Sequence, residues 1–227
     1  MLTLSEKSIL KIHGKNDGFI FQHFREGRKL SLSAGNKKLP YNTLIFNIPA
    51  VLTCPFKTSF CAAKCYALKA ERLYRNTRQA RKNNYTMSRL DSFAEDIISA
   101  IHGINLKLPN LIKNFRIHES GDFYNQSYFN QWQSVAREFP EIQFYAYTKS
   151  FFLNFEDKAP NLILIASFDQ TTSLKHLTYY EANKKYFDKT FSIVEKTVAA
   201  SCIQDCTQCN LCFTNTGRKE NITVNVH

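Results

Sequence analysis

Seven cysteines lie in this 227-residue chain, and all of them fall into two tight groups. Cys54, Cys61 and Cys65 form C-x6-C-x3-C, while Cys202, Cys206, Cys209 and Cys212 form C-x3-C-x2-C-x2-C. Three thiolates hold a 4Fe–4S cluster with one iron left open, and four close a second cluster completely. Cys206, Cys209 and Cys212 repeat the spacing of ferredoxin-type ligands. Zinc sites more often come as two C-x2-C pairs separated by a longer loop, although zinc with a histidine or carboxylate as fourth ligand is the alternative for the first group. Cys202 either completes the second group or reaches across to cap the first. The start, MLTLSEKSILKIHGKN, lacks the apolar core of a signal peptide. No run of about 18 apolar residues predicts a membrane span. A cytoplasmic setting is therefore expected, where clustered thiols in odd number are metal ligands rather than disulfides.

A second set of polar residues gathers at predicted strand ends. The run Arg116-Ile117-His118-Glu119-Ser120-Gly121-Asp122-Phe123 closes one strand, and alternation predicts Arg116, His118 and Ser120 on one face. With Glu119 and Asp122 they form a set suited to hydrogen-bonding a substrate or moving protons. The alternative is a plain turn with Asp122 as a helix cap. Lys149 ends the next strand, FYAYTKS, and suits a phosphate or carboxylate; Ser167 and Asp169 end the one after. His118, Glu119, Asp122 and Lys149 are the candidate catalytic residues. Ser120, Gly121, Tyr147 and Ser167 are the candidate cofactor contacts. No G-x-x-x-x-G-K-[ST], G-x-G-x-x-G or G-x-S-x-G motif is present.

The formal net charge is +11. Two bound clusters would lower it to roughly +8. That excess favours an anionic small substrate or a polyanion such as nucleic acid. The densest basic run, Lys64 to Arg89, directly follows the first cysteine group. Arg72, Arg75, Arg78, Arg81 and Lys82 are its candidate nucleic-acid contacts.

The elements that must position these groups are predicted from periodicity. Residues 1–40 form an extended leader with a hairpin turn at Ala34-Gly35-Asn36, and YNTLIFNIPA is a strand ended by Pro49. Cys61 to Ser88 is expected to be one helix with Leu68, Leu73 and Ala80 turned inward, and residues 89–102 a second. Strands and helices then alternate: FRIHES, SYFNQWQSVAREF, IQFYAYTKS, NLILIASFD, SLKHLTYYEANKKYF, TFSIVE, a further short strand at TVAAS, and a last strand at ENITVNVH. This alternation implies an α/β fold with a parallel sheet. About six mostly parallel strands predict a partial, open β/α barrel rather than a closed one. The expected organisation is a single domain over 1–227, with the extension at 1–40, the partial barrel at 41–200 and the cysteine-rich segment and last strand at 201–227.

The ordered set NIPAVLTCP, CAAKCYA, RNTRQAR, HESGDF, FYAYTKS, the four-cysteine run and a final strand ending in His227 resembles the phage and mobile-element family called gene product 88, over about residues 28–227. It resembles radical S-adenosylmethionine enzymes more distantly. The family resemblance implies a phage or mobile-element setting in a bacterium. The second resemblance implies a three-cysteine loop after the first barrel strand whose open iron binds S-adenosylmethionine, with an electron donor as partner. The resulting expectation is an enzyme with two 4Fe–4S clusters that acts on a nucleotide or nucleic acid. The competing expectation is a non-catalytic nucleic-acid binder whose iron–sulfur or zinc sites are structural.

Overall fold

The computed structural model describes residues 7–13, 18–195, 199–214 and 220–225. His227 lies outside them, as does the start of the strand expected at TVAAS.

Nine strands form one open sheet in sequential order: β1 (Lys7–His13), β2 (Gly18–Arg25), β3 (Arg28–Ala34), β4 (Thr43–Phe46), β5 (Asn114–Ile117), β6 (Gln143–Thr148), β7 (Leu162–Phe168), β8 (Lys189–Val194) and β9 (Glu220–Asn225). The first four are antiparallel to one another, and β4 through β9 run parallel. The expected partial barrel of about six mostly parallel strands with a separate leader is therefore corrected to a single nine-strand mixed sheet. The leader is the cause. GFIFQHFR alternates buried and half-buried residues along β2, which is the pattern of a strand with one covered face. Glu26 and Gly27 both take positive φ, +49° and +74°, the two-residue hairpin geometry that matches strand twist. That turn pairs β2 with β3 and extends the sheet from β4.

Helices cover one face. After β4 come α1 (Ser59–Ala63), α2 (Tyr66–Leu73), α3 (Arg75–Ser88) and α4 (Phe93–Lys107); α5 (Gln126–Glu138) joins β5 to β6, and α6 (Leu174–Asn183) joins β7 to β8. The core on this face centres on Trp132 of α5, whose ring meets Phe46, Phe93 and Phe115 edge-on at 5.3, 5.4 and 5.3 Å. The helix expected over Cys61 to Ser88 is instead three helices. Cys65 caps α2, its sulfur accepting from the Leu68 N–H, and Tyr74 breaks the chain with an extended backbone between α2 and α3. Because of that break Leu73, expected inward, is exposed.

The opposite face is covered differently. Between β8 and β9 the described part of the connection is an irregular stretch carrying the last four cysteines. Cys212 and Phe213 pack on Tyr145, Ile163, Ile165, Tyr147 and Phe191 of that face. The continuous apolar run of β7 follows from burial on both sides.

Candidate functional site

Parallel strands β4 to β7 all end at the same edge, and the loops leaving them bring Cys54, Asp122, Lys149 and Asp169 together. This is the edge where ligands bind in parallel α/β sheets. Asp122 is buried and accepts from the Thr148 hydroxyl at 2.6 Å, the Phe123 N–H at 2.7 Å and the Lys149 N–H at 2.9 Å. Burial pushes its carboxyl up to about 6 despite those three bonds. The Lys149 ammonium is also buried. It donates to the Ser167 carbonyl at 2.9 Å and hydroxyl at 3.0 Å, and pairs with Asp169 at 3.3 Å. All three donors are thereby used, so Lys149 supplies fixed positive charge rather than a free hand for substrate. Asp169 in turn accepts from Thr58 at 2.5 Å. Burial pushes the Asp169 carboxyl up, but the Thr58 bond and the Lys149 charge outweigh it and leave it below the usual range. Thr58 caps α1 and its hydroxyl accepts from the Cys61 N–H at 3.1 Å. The network thus ties Lys149 to the first cysteine loop.

Cys54, Cys61 and Cys65 are all free and half-buried, and each of the first two lies within electrostatic reach of its group. Burial, then Asp122, pushes the Cys54 thiol up to about 12; burial raises Cys61, opposed by Lys149. A metal entering here must displace protons. Gly121 sits against this loop with φ +92°, where a Cβ would meet the Ile48 side chain at 2.3 Å and the Thr53 hydroxyl at 2.7 Å. Its role is therefore close packing of the strand end on the cysteine loop. Ser120 donates to the Ile48 carbonyl at 2.9 Å and serves the same junction.

The second group lies on the face opposite the helices. Cys202 sits with Cys206, Cys209 and Cys212, and its N–H donates to the Thr223 carbonyl of β9 at 2.9 Å. The Tyr147 hydroxyl donates to the Cys212 sulfur at 2.6 Å, and the Arg116 guanidinium stacks over the Tyr147 ring at 5.3 Å. Burial works against the Arg116 charge, but Glu119 at 3.3 Å and the surrounding tyrosines hold it protonated. Burial raises Cys206 to about 11, and Arg116 opposes that rise. The segment is clasped by the buried Lys189 ammonium, which bonds the Leu211 carbonyl and Glu220, and by the Cys206 N–H donating to the Lys38 carbonyl at 2.9 Å.

Among the described residues no three His, Cys, Asp or Glu side chains converge closely enough to hold a single metal ion. Thiolates on one zinc, with bonds of about 2.3 Å, lie roughly 3.8 Å apart. An iron–sulfur cluster spreads its thiolates over separate irons and requires wider spacing. Two groups of free thiols, with Lys149 near the first and Arg116 near the second, form a donor set that an iron–sulfur cluster would fit.

The expected grouping of Arg116, His118 and Ser120 is corrected. β5 ends at Ile117, and His118 takes φ +70°, which breaks the alternation. Arg116 stays on the cysteine-covered face. His118 turns into the core, bonding the Tyr128 hydroxyl at 2.7 Å beside Phe123. Burial lowers its ring to about 3, so it is neutral at any ordinary pH. Glu119 joins a different tie, accepting from Asn36 at 2.9 Å and, through its carbonyl, from the Tyr66 hydroxyl at 2.6 Å. Asn36, expected only as part of a hairpin turn, and Thr58, given no role by its sequence context, are the contributors that periodicity missed. Of the basic run, Arg72, Arg75, Arg78 and Lys82 are exposed. Arg81 is buried and pairs with Glu71 at 2.9 Å, so it holds α3 to α2.

A family model described as "Gene product 88" matches residues 22–201. The "Gene 88 protein" of Mycobacterium phage D29 is 33% identical over 106 residues, 43% of this chain and 42% of that protein. The "Gene 88 protein" of Mycobacterium phage L5 is likewise 33% identical over 106 residues, 43% of each chain. The alignments thus span under half the length of these relatives. No solved structure matches the chain. Among the described residues no helix is long and apolar enough to cross a membrane.

Proposed function

The chain belongs to the Gene product 88 family, and we propose that it is an iron–sulfur enzyme acting on an anionic substrate. Cys54, Cys61 and Cys65 would hold an open-site 4Fe–4S cluster, and Cys202, Cys206, Cys209 and Cys212 a fully ligated one. The observation that carries this reading is the asymmetry of the two groups. Three thiols sit at the carboxyl edge of the parallel strands beside the buried Asp122–Lys149–Asp169 network, and four lie on the sheet face under Arg116. The open iron, when present, supplies a position for a substrate or for S-adenosylmethionine.

The chain's own residues do the rest. Lys149 from a buried position and Arg116 from a half-buried one offset the negative charge of the two centres. Asp122 fixes the β6 terminus through the Thr148 hydroxyl and Lys149 N–H, and so holds the Lys149 side chain at the first group. Gly121 and Ser120 lock the β5 terminus to the cysteine loop. Tyr147 donates to Cys212, the kind of bond that tunes a cluster's potential.

The test is anaerobic purification with iron and sulfide counting, then EPR of the reduced protein with and without S-adenosylmethionine. About eight irons, one of them lost from the first group on mild oxidation, is the expected result. A spectrum altered by S-adenosylmethionine would place that cofactor at the open iron. Zinc in place of iron would overturn the redox reading. A second reading, a non-catalytic nucleic-acid binder with structural metals, is favoured by the exposed cations of α2 and α3 and predicts binding without turnover.

A further inference from the structure

Between Cys54 and Leu90 the chain carries one acid, Glu71, and that acid is buried against Arg81. The exposed cations of this stretch therefore have no acidic neighbour in sequence, and among the described residues Arg72, Arg75, Arg78 and Lys82 form no ion pair. At 100° per residue Arg75, Arg78 and Lys82 fall within an arc of about 60° on α3. The buried residues Arg81, Asn84, Met87 and Ser88 fall on the opposite side. Arg72 continues the charge onto α2, and Tyr74, 62% exposed, stands at the break between the two helices. The capping residue at the other end of α2, about 13.5 Å away along its axis, is Cys65 of the first group.

We infer that this face binds single-stranded nucleic acid, with phosphates on Arg72, Arg75, Arg78 and Lys82 and a base stacked on Tyr74, and leads the strand toward Cys65. The direction of the strand rests on the proposed open site; the binding itself does not. Unpaired cations on one arc neutralise phosphates without reading sequence. An exposed aromatic beside them adds stacking that only unpaired bases offer. A base must also leave a duplex to reach chemistry at a strand edge.

The experiment is fluorescence anisotropy of a labelled 20-nucleotide oligo(dT) against the anaerobically purified full chain, titrated at several salt concentrations. Oligo(dT) should bind at least tenfold tighter than a duplex of the same length. In the variant Arg75→Ala/Arg78→Ala/Lys82→Ala the slope of log affinity against log salt should flatten by about two, at ~0.7 per phosphate lost. Tyr74→Ala should weaken oligo(dT) about tenfold. The charge-keeping variant Arg75→Lys/Arg78→Lys/Lys82→Arg should retain the wild-type slope, which separates lost charge from lost fold. A preparation without iron that still binds oligo(dT) with this salt slope defeats the enzyme reading and not this one. A wild-type slope in the triple alanine variant, or duplex binding as tight as oligo(dT), would overturn the assignment.

Discussion

The two cysteine groups occupy opposite kinds of ground. Cys61 and Cys65 sit where helices α1 and α2 begin and Cys54 in the loop before them, and the residues between them are held by a buried network running Thr58–Asp169–Lys149–Ser167. Residues 199–214 contain no helix or strand and are pinned to the sheet by scattered bonds from Lys38, Lys189, Tyr147 and Thr223. The first site is thus built by the fold. The second covers an apolar sheet face with a segment whose own conformation needs something more. The difference teaches which of the two proposed sites would depend on a metal: the edge site has a scaffold without one, and the clasp does not.

The largest effect expected from this contrast is on the clasp. Metal ligation contributes apparent folding free energy on the order of 10 kcal/mol in small thiolate sites. In Cys206→Ala/Cys209→Ala a protease should cut within residues 199–214, while in Cys54→Ala that segment should stay protected. Limited proteolysis read by mass spectrometry checks this, and equal cleavage of the two variants would erase the distinction. A smaller contrast compares the two buried lysines. Lys149→Met strands Asp169, whose side chain has no solvent exposure, and should cost about 4 kcal/mol in urea unfolding. Lys189→Met leaves Glu220 29% exposed and able to turn to water, and should cost about 2 kcal/mol. The reverse order would show that the clasp, not the edge, is the rigid region.

What the sequence made legible divides along the same line. Cysteine spacing and strand-end polarity placed Cys54, Asp122, Lys149 and Ser167 near one edge, because parallel strands deliver their termini together whatever the tertiary detail. Side-chain partners were not legible. Thr58 reaches Asp169 across 111 residues, and no local pattern encodes that. The leader reads as extended with a hairpin turn at Ala34-Gly35-Asn36, but its pairing into the sheet was not legible, because the turn that joins β2 to β3 lies at Glu26-Gly27 and the partner strands are set by tertiary contact. The basic run was read as one surface, since charge alone does not distinguish Arg81, buried on Glu71, from Arg75. Helical phase does distinguish them. Arg81→Ala should cost about 3 kcal/mol by leaving Glu71 buried without its cation, and Arg75→Ala no more than about 0.5 kcal/mol. Equal costs in thermal or urea unfolding would place both on one face again.

A pH-dependent effect belongs to His118 and is specific to the edge site, since residues 199–214 contain no histidine. Burial holds this ring near 3 in the folded state, against about 6.5 in the unfolded chain. Below about pH 6.5 the unfolded chain therefore gains a proton that the folded one refuses. The stability His118 contributes is complete about one unit above that pH and falls away as pH drops toward 3, with a limiting slope of about 1.4 kcal/mol per unit. Asn tolerates the left-handed backbone at this position, so His118→Asn removes the titration with the least strain. Between pH 6.5 and 4.5 the wild type should lose about 2.3 kcal/mol relative to that variant in urea unfolding, because the unfolded ring is already half protonated at the upper pH. Subtracting the two proteins cancels the opposite trend from Asp122, whose raised carboxyl favours the folded state on acidification. A difference flat with pH would mean that the His118 ring reaches solvent, and that the strand terminus beneath the first cysteine group is as loosely held as the clasp.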